Sequence, residues 1–81
     1  MKKINLKKME DEKHSLYCDW QMLKAILTQF TKTNPKFGEN LNLTIQYIEL
    51  ETKVMIAEHE FTIYNRKYCL EKMKIEFAES E

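Results

Sequence analysis

Apolar residues fall into two stripes with alternating steps of three and four, and the chain's only proline and only glycine lie between them. Leu6, Met9, Leu16, Trp20, Leu23, Leu27 and Phe30 form the first stripe; Leu43, Tyr47, Leu50, Val54, Ala57, Phe61, Tyr64 and Tyr68 form the second. This spacing gathers each set on one side of an α-helix. The pattern is interrupted at Lys13, which takes a position the first stripe would give to an apolar side chain. Between the stripes, Thr31, Thr33, Asn34, Pro35, Gly38, Asn40 and Asn42 favour caps and turns over a continuous helix. The expected fold is all-α: a single domain over residues 1–81, built as a two-helix antiparallel hairpin with its turn near 33–39, dimerising into a four-helix bundle.

The first helix is expected to begin between Ile4 and Ser15. If Ser15 caps a shorter helix, Lys2 to Met9 would instead be extended, with Ile4 and Leu6 on one face. The second helix is expected from about Leu41 to Ala78, a stretch without Gly or Pro. Its β-branched content supports a rival α+β arrangement, with short strands around Leu43 to Tyr47, Val54 and Ile56, and Phe61 and Ile63, turning at Asn65 and Arg66. The rival lacks Gly-containing hairpin turns, and the helical reading is preferred.

The second stripe is wider than a helix pair requires. Ile56, Ile63, Leu70 and Phe77 recur every seven residues beside it, and Ile48 and Met55 extend the opposite shoulder. At roughly 25–30 cal/mol per Å² of apolar area, leaving these side chains in water forgoes on the order of several kcal/mol. Self-association or another helical protein would cover them. Met22, Ile56, Ile63, Leu70 and Phe77 are therefore the candidate protein-binding residues, while Trp20 and Phe30 are expected to anchor the core.

Size strengthens that expectation, because 81 residues bury a modest fraction of their surface without a partner, metal or disulfide. Hydrophobic residues at 43% and charged residues at 32% fit a folded chain rather than a disordered tail. Thirteen basic and thirteen acidic residues balance, which disfavours nucleic-acid binding through a strong global field. No apolar run suits a signal peptide or a membrane span, so the expected setting is cytoplasmic, without membrane contact. Cys18 and Cys69 are too few for a disulfide framework and are expected to be buried reduced thiols.

Candidate chemistry is sparse. His14 and Cys18 lie four residues apart, and a hairpin centred near Lys36 would return His59 toward them, giving three conceivable ligands for zinc. Neither CxxC nor HExxH is present, and ordinary helix-surface or interhelical placement is preferred, with no metal and no cofactor. Covalent catalysis by Cys18 lacks oxyanion donors and a group to fix the histidine tautomer. Adjacent Glu10, Asp11 and Glu12 point in different directions from a helix and are expected to face solvent or stabilise its amino terminus. A local nucleic-acid surface is the main alternative, using Lys2, Lys3, Lys7, Lys8, Arg66, Lys67, Lys72 and Lys74 against phosphates, with Tyr64 and Tyr68 available for stacking only if their rings lie outside the core. The leading expectation is a noncatalytic protein-interaction module: an adaptor, assembly chaperone or inhibitor. A small metal- or cysteine-dependent enzyme is the more distant alternative.

Overall fold

In the computed structural model, which describes residues 6–80, two helices are joined by a tight turn. Helix α1 spans Leu6–Thr33 and helix α2 spans Leu41–Ser80, with a 3-10 turn at Phe37–Glu39 between them. No strand occurs among the described residues, so the α+β alternative is overturned. The heptad spacing outweighs the β-branched content of α2, because an unbroken helix satisfies its own backbone while the apolar stripe packs on α1. Ser15 lies inside α1 rather than capping it, and residues 6–9 are helical rather than extended. Ile4, Lys2 and Lys3 lie outside the described residues.

The turn is fixed by a chain of short-range hydrogen bonds. Pro35 cannot donate the next helical hydrogen bond and disfavours helical backbone at the residue before it, so α1 closes at Asn34, whose backbone N–H donates to Phe30 O at 2.9 Å. Phe37 N–H then donates to Asn34 O at 3.1 Å across the proline. Asn40 caps α2: its Oδ1 accepts from Leu43 N–H at 3.1 Å, satisfying a donor the first helical turn leaves open. The Thr44 hydroxyl closes the corner by donating to Phe37 O at 2.8 Å. Phe37 covers the end of the seam, with its ring 6.2 Å from Phe30 and stacked at 4.3 Å on Tyr47. Gly38 has no positive φ, and a Cβ there would meet nothing within 4 Å. Its presence is not required by the backbone.

The two stripes face each other as their spacing predicts, every member being at least half-buried. Trp20 stacks on Phe61 at 5.6 Å and 29°, and Tyr17 closes against both rings at 5.9 and 5.4 Å. Lys13 keeps its place in the seam by laying its ammonium 4.4 Å from the centroid of the Tyr68 ring. A cation over an aromatic face is attracted by the ring quadrupole, so this interruption of the stripe carries an interaction of its own. Among the described residues the indole N–H of Trp20 is the buried side-chain polar group without a hydrogen-bond partner.

A single layer of two helices encloses little. Among the described residues only Ala57 and Tyr68 are buried, and no large side chain is fully enclosed. The molecule measures 62 × 18 × 14 Å, with a radius of gyration of 18.4 Å. A compact domain of this length would have about 12 Å.

Candidate functional site

Exposed apolar residues run along α2 outside its seam with α1. Ile48, Met55, Ile56, Ile63, Leu70 and Met73 are exposed by 54%, 62%, 54%, 54%, 57% and 61%. Seven-residue steps keep Ile56, Ile63 and Leu70 in line along the helix, and the intervening turns add Met55 and Met73. Phe77 continues this line toward the end of α2 and is 70% exposed. Apolar side chains thus occur on α2 outside the seam as well as within it.

Shallow grooves border this strip. One lies between the helices and brings Met22 of α1 beside Ile56, rimmed by Asp19, Lys53 and Glu60. A second follows the outer side of α2 through Thr52, Met55, Ile56, His59 and Thr62. A third reaches Leu70, Met73 and Phe77. The structure thus places Ile56 and Met22 at one groove, Ile63 two turns farther beside Glu60 and Lys67, and Leu70 and Phe77 at the far end. Ile26 on α1 is also exposed, by 46%, and was not anticipated because it stands outside the heptad lines; its i+4 relation to Met22 is the signal.

Among the described basic residues, Lys67 borders a shallow groove with Tyr64, and Lys74 one with Phe77. Lys7, Lys8, Arg66, Lys67, Lys72 and Lys74 are exposed, with Lys74 3.6 Å from Glu71. Tyr68 is only 7% exposed, its ring covered by Lys13 and its hydroxyl donating to Glu10 at 3.0 Å. Tyr64 donates to Glu12 in the same fashion. Both rings pack in the seam, the Tyr68 ring buried and the Tyr64 ring half-buried, which limits them as stacking surfaces. Glu10, Asp11 and Glu12 are exposed, as expected, but they lie beyond the first turn of α1, and Glu10 and Glu12 act as acceptors across the hairpin.

Donating to a carboxylate makes a phenol harder to ionise. The hydroxyls of Tyr64 and Tyr68 are accordingly held above their ordinary range, chiefly by their bonds to Glu12 and Glu10 and secondarily by desolvation. Tyr47 is raised in the same direction by its 2.8 Å bond to Glu51 and by that carboxylate's charge.

The histidines and cysteines remain apart as a group. Cys18 Sγ is 3.5 Å from His14 Nε2 on one face of α1, but His59 lies on the outer groove of α2. The expected return of His59 toward His14 fails because the hairpin is centred nearer residue 39 than Lys36, as the Glu10–Tyr68 and Tyr17–Phe61 contacts show. Among the described residues no three His, Cys, Asp or Glu side chains converge on a metal position. Both cysteines are free and exposed, which corrects the expectation that they are buried. In a two-helix layer the positions beside the seam stay in solvent. No helix among the described residues is long and apolar enough to cross a membrane.

Comparison with protein-family models, curated proteins and solved structures finds no significant match to this chain.

Proposed function

We propose that this protein is a noncatalytic protein-interaction module, acting as a small adaptor, assembly chaperone or inhibitor through the outer face of α2. The observation that carries the reading is the line of exposed Ile56, Ile63 and Leu70 on a helix whose other side is already packed. Binding exchanges hydrated apolar area for side-chain packing, and the charges along its edges restrict orientation and partner choice. Met22 and Met55 add flexible thioether side chains that adapt to a partner's contour. Cytoplasmic residence suits the free, exposed thiols Cys18 and Cys69, which a reducing compartment keeps unpaired.

The test is a pair of single substitutions, Ile56→Asp and Leu70→Asp, at positions more than half exposed in the hairpin. Circular dichroism should show retained helicity, while sedimentation and affinity capture show lost association. Retained helicity with unchanged self-association and unchanged partner capture would remove the outer face from function.

A further inference from the structure

We propose that a second copy of this chain covers the outer face of α2, with the two α2 helices antiparallel and crossing near Ile63. This rests on the reading of that face as an interaction surface, and adds its occupant and geometry.

Area supplies the first argument. A compact monomer of 9.8 kDa exposes about 5,200 Å² by the usual scaling of surface with mass, whereas this hairpin exposes 6761 Å². The excess, about 1,600 Å², exceeds the roughly 800 Å² per partner of a standard interface and lies within the range of obligate dimers. One more copy of the same hairpin is large enough to cover it.

Charge selects the orientation. In the first half of α2 the exposed charges are Glu49, Glu58 and Glu60 against Lys53; in the second half they are Arg66, Lys67, Lys72 and Lys74 against Glu76 and Glu79. A parallel pair sets acidic half against acidic half and basic against basic. Inverting one copy about residue 63 sets the net acidic half against the net basic half, bringing Glu58 and Glu60 opposite the partner's Arg66 and Lys67. Lys53 comes level with residue 73, between the partner's Lys72 and Lys74, and Glu49 with residue 77, beside the partner's Glu76, so the favourable pairing is confined to the centre of the interface. The same inversion aligns the apolar residues: Ile63 meets its own copy at the axis, and Ile56 comes level with the partner's Leu70, because both lie seven residues from Ile63. A two-fold interface requires such a self-complementary surface.

The distance test uses a nitroxide label at Gln46→Cys in the full chain carrying Cys18→Ser and Cys69→Ser. With a rise of 1.5 Å per residue, the antiparallel dimer puts the two labels about 50 Å apart. A parallel pair would put them about 10 Å apart, at the interaxial spacing. A dimeric mass by sedimentation together with the long distance supports the proposal. A short distance, or a monomer at every concentration, overturns it.

A charge exchange gives an independent readout. Glu60→Lys and Lys67→Glu should each weaken the dimer by about tenfold, since the symmetry repeats each like-charge contact twice, and the double variant should recover most of that loss. Equal dissociation constants for all four proteins would overturn the pairing. If the wild-type chain is monomeric yet Ile56→Asp abolishes partner capture, the second copy is refuted while the interaction face stands.

Discussion

Replacing Phe61 by leucine tests whether the aromatic cluster at the middle of the hairpin holds α1 to α2. Leucine retains most of the aliphatic bulk at this position but removes the stacked contact with Trp20 at 5.6 Å and the tilted contact with Tyr17 at 5.4 Å. Each aromatic pair contributes about 0.5–1.5 kcal/mol beyond area burial, so the two together predict a loss of roughly 1–3 kcal/mol. Phe61→Ala, which also empties the position, should cost about 3 kcal/mol, near the lower end for a phenylalanine that is not fully enclosed. Against a total of about 4–12 kcal/mol for a chain of this length, either change is large. Trp20 is the chain's only tryptophan, so its fluorescence reports this cluster directly, and far-ultraviolet circular dichroism reports the helices. Urea titrations should be run at one protein concentration, because any self-association adds to the apparent stability. A loss below about 0.5 kcal/mol for Phe61→Leu, with an unchanged denaturant slope, would refute the assignment of the ring cluster as the central clasp.

Asn40→Ala removes the side-chain acceptor for Leu43 N–H and should destabilise the hairpin by about 1 kcal/mol, measured by urea unfolding. Gly38→Ala should stabilise it by about 0.4–1 kcal/mol, because the position has an ordinary φ, free space for a Cβ, and fewer unfolded conformations to lose; a lower urea midpoint would contradict that geometry. Stability should be insensitive to the phenols below about pH 10 and fall as pH rises through their higher folded values, because the folded state favours the protonated hydroxyls of Tyr47, Tyr64 and Tyr68. Urea midpoints between pH 8 and pH 11, as approximate limits, should therefore decline less steeply in a variant with phenylalanine at all three positions, and parallel declines would rule out this linkage.

The seam was legible because its signal is periodic. Leu16, Trp20, Leu23 and Leu27 on one helix, and Leu50, Val54, Ala57 and Phe61 on the other, need only the helical repeat to be placed on facing sides. The same repeat picked out Ile56, Ile63 and Leu70 as a second line, and their exposure agrees with that placement. What spacing could not supply was the level at which the helices meet. Although α2 begins at the expected Leu41, the Glu10–Tyr68 and Tyr17–Phe61 contacts centre the hairpin near residue 39 rather than Lys36, which carries His59 past His14. Nor does a helical repeat reveal that Lys13 lies over Tyr68, or that Glu10 and Glu12 accept bonds from the opposite helix. Those contacts depend on long side chains reaching across the rim, where several partners are sterically equivalent in sequence. Gly38 lies in the expected turn, although its φ is not positive: glycine permits unusual backbone angles without requiring them.

With so shallow a core, a partner on the outer face would add to the stability of the fold. With only Ala57 and Tyr68 buried among the described residues, the hairpin's interior contacts are a single row of half-enclosed side chains. Conformational entropy of roughly 1–2 kcal/mol per ordered residue opposes all forty residues of α2, whereas the seam uses about one side chain in three or four of them. A partner on the opposite side would let Ile56, Ile63 and Leu70 contribute as well, without ordering any further backbone. Binding to the folded hairpin alone would then raise its melting temperature with partner concentration. If the partner is a second copy, the midpoint should rise with the protein's own concentration, and Leu70→Asp should abolish that dependence while leaving the dilute-limit midpoint almost unchanged. An equal fall in the midpoint at every concentration would instead assign Leu70 to the stability of the single hairpin.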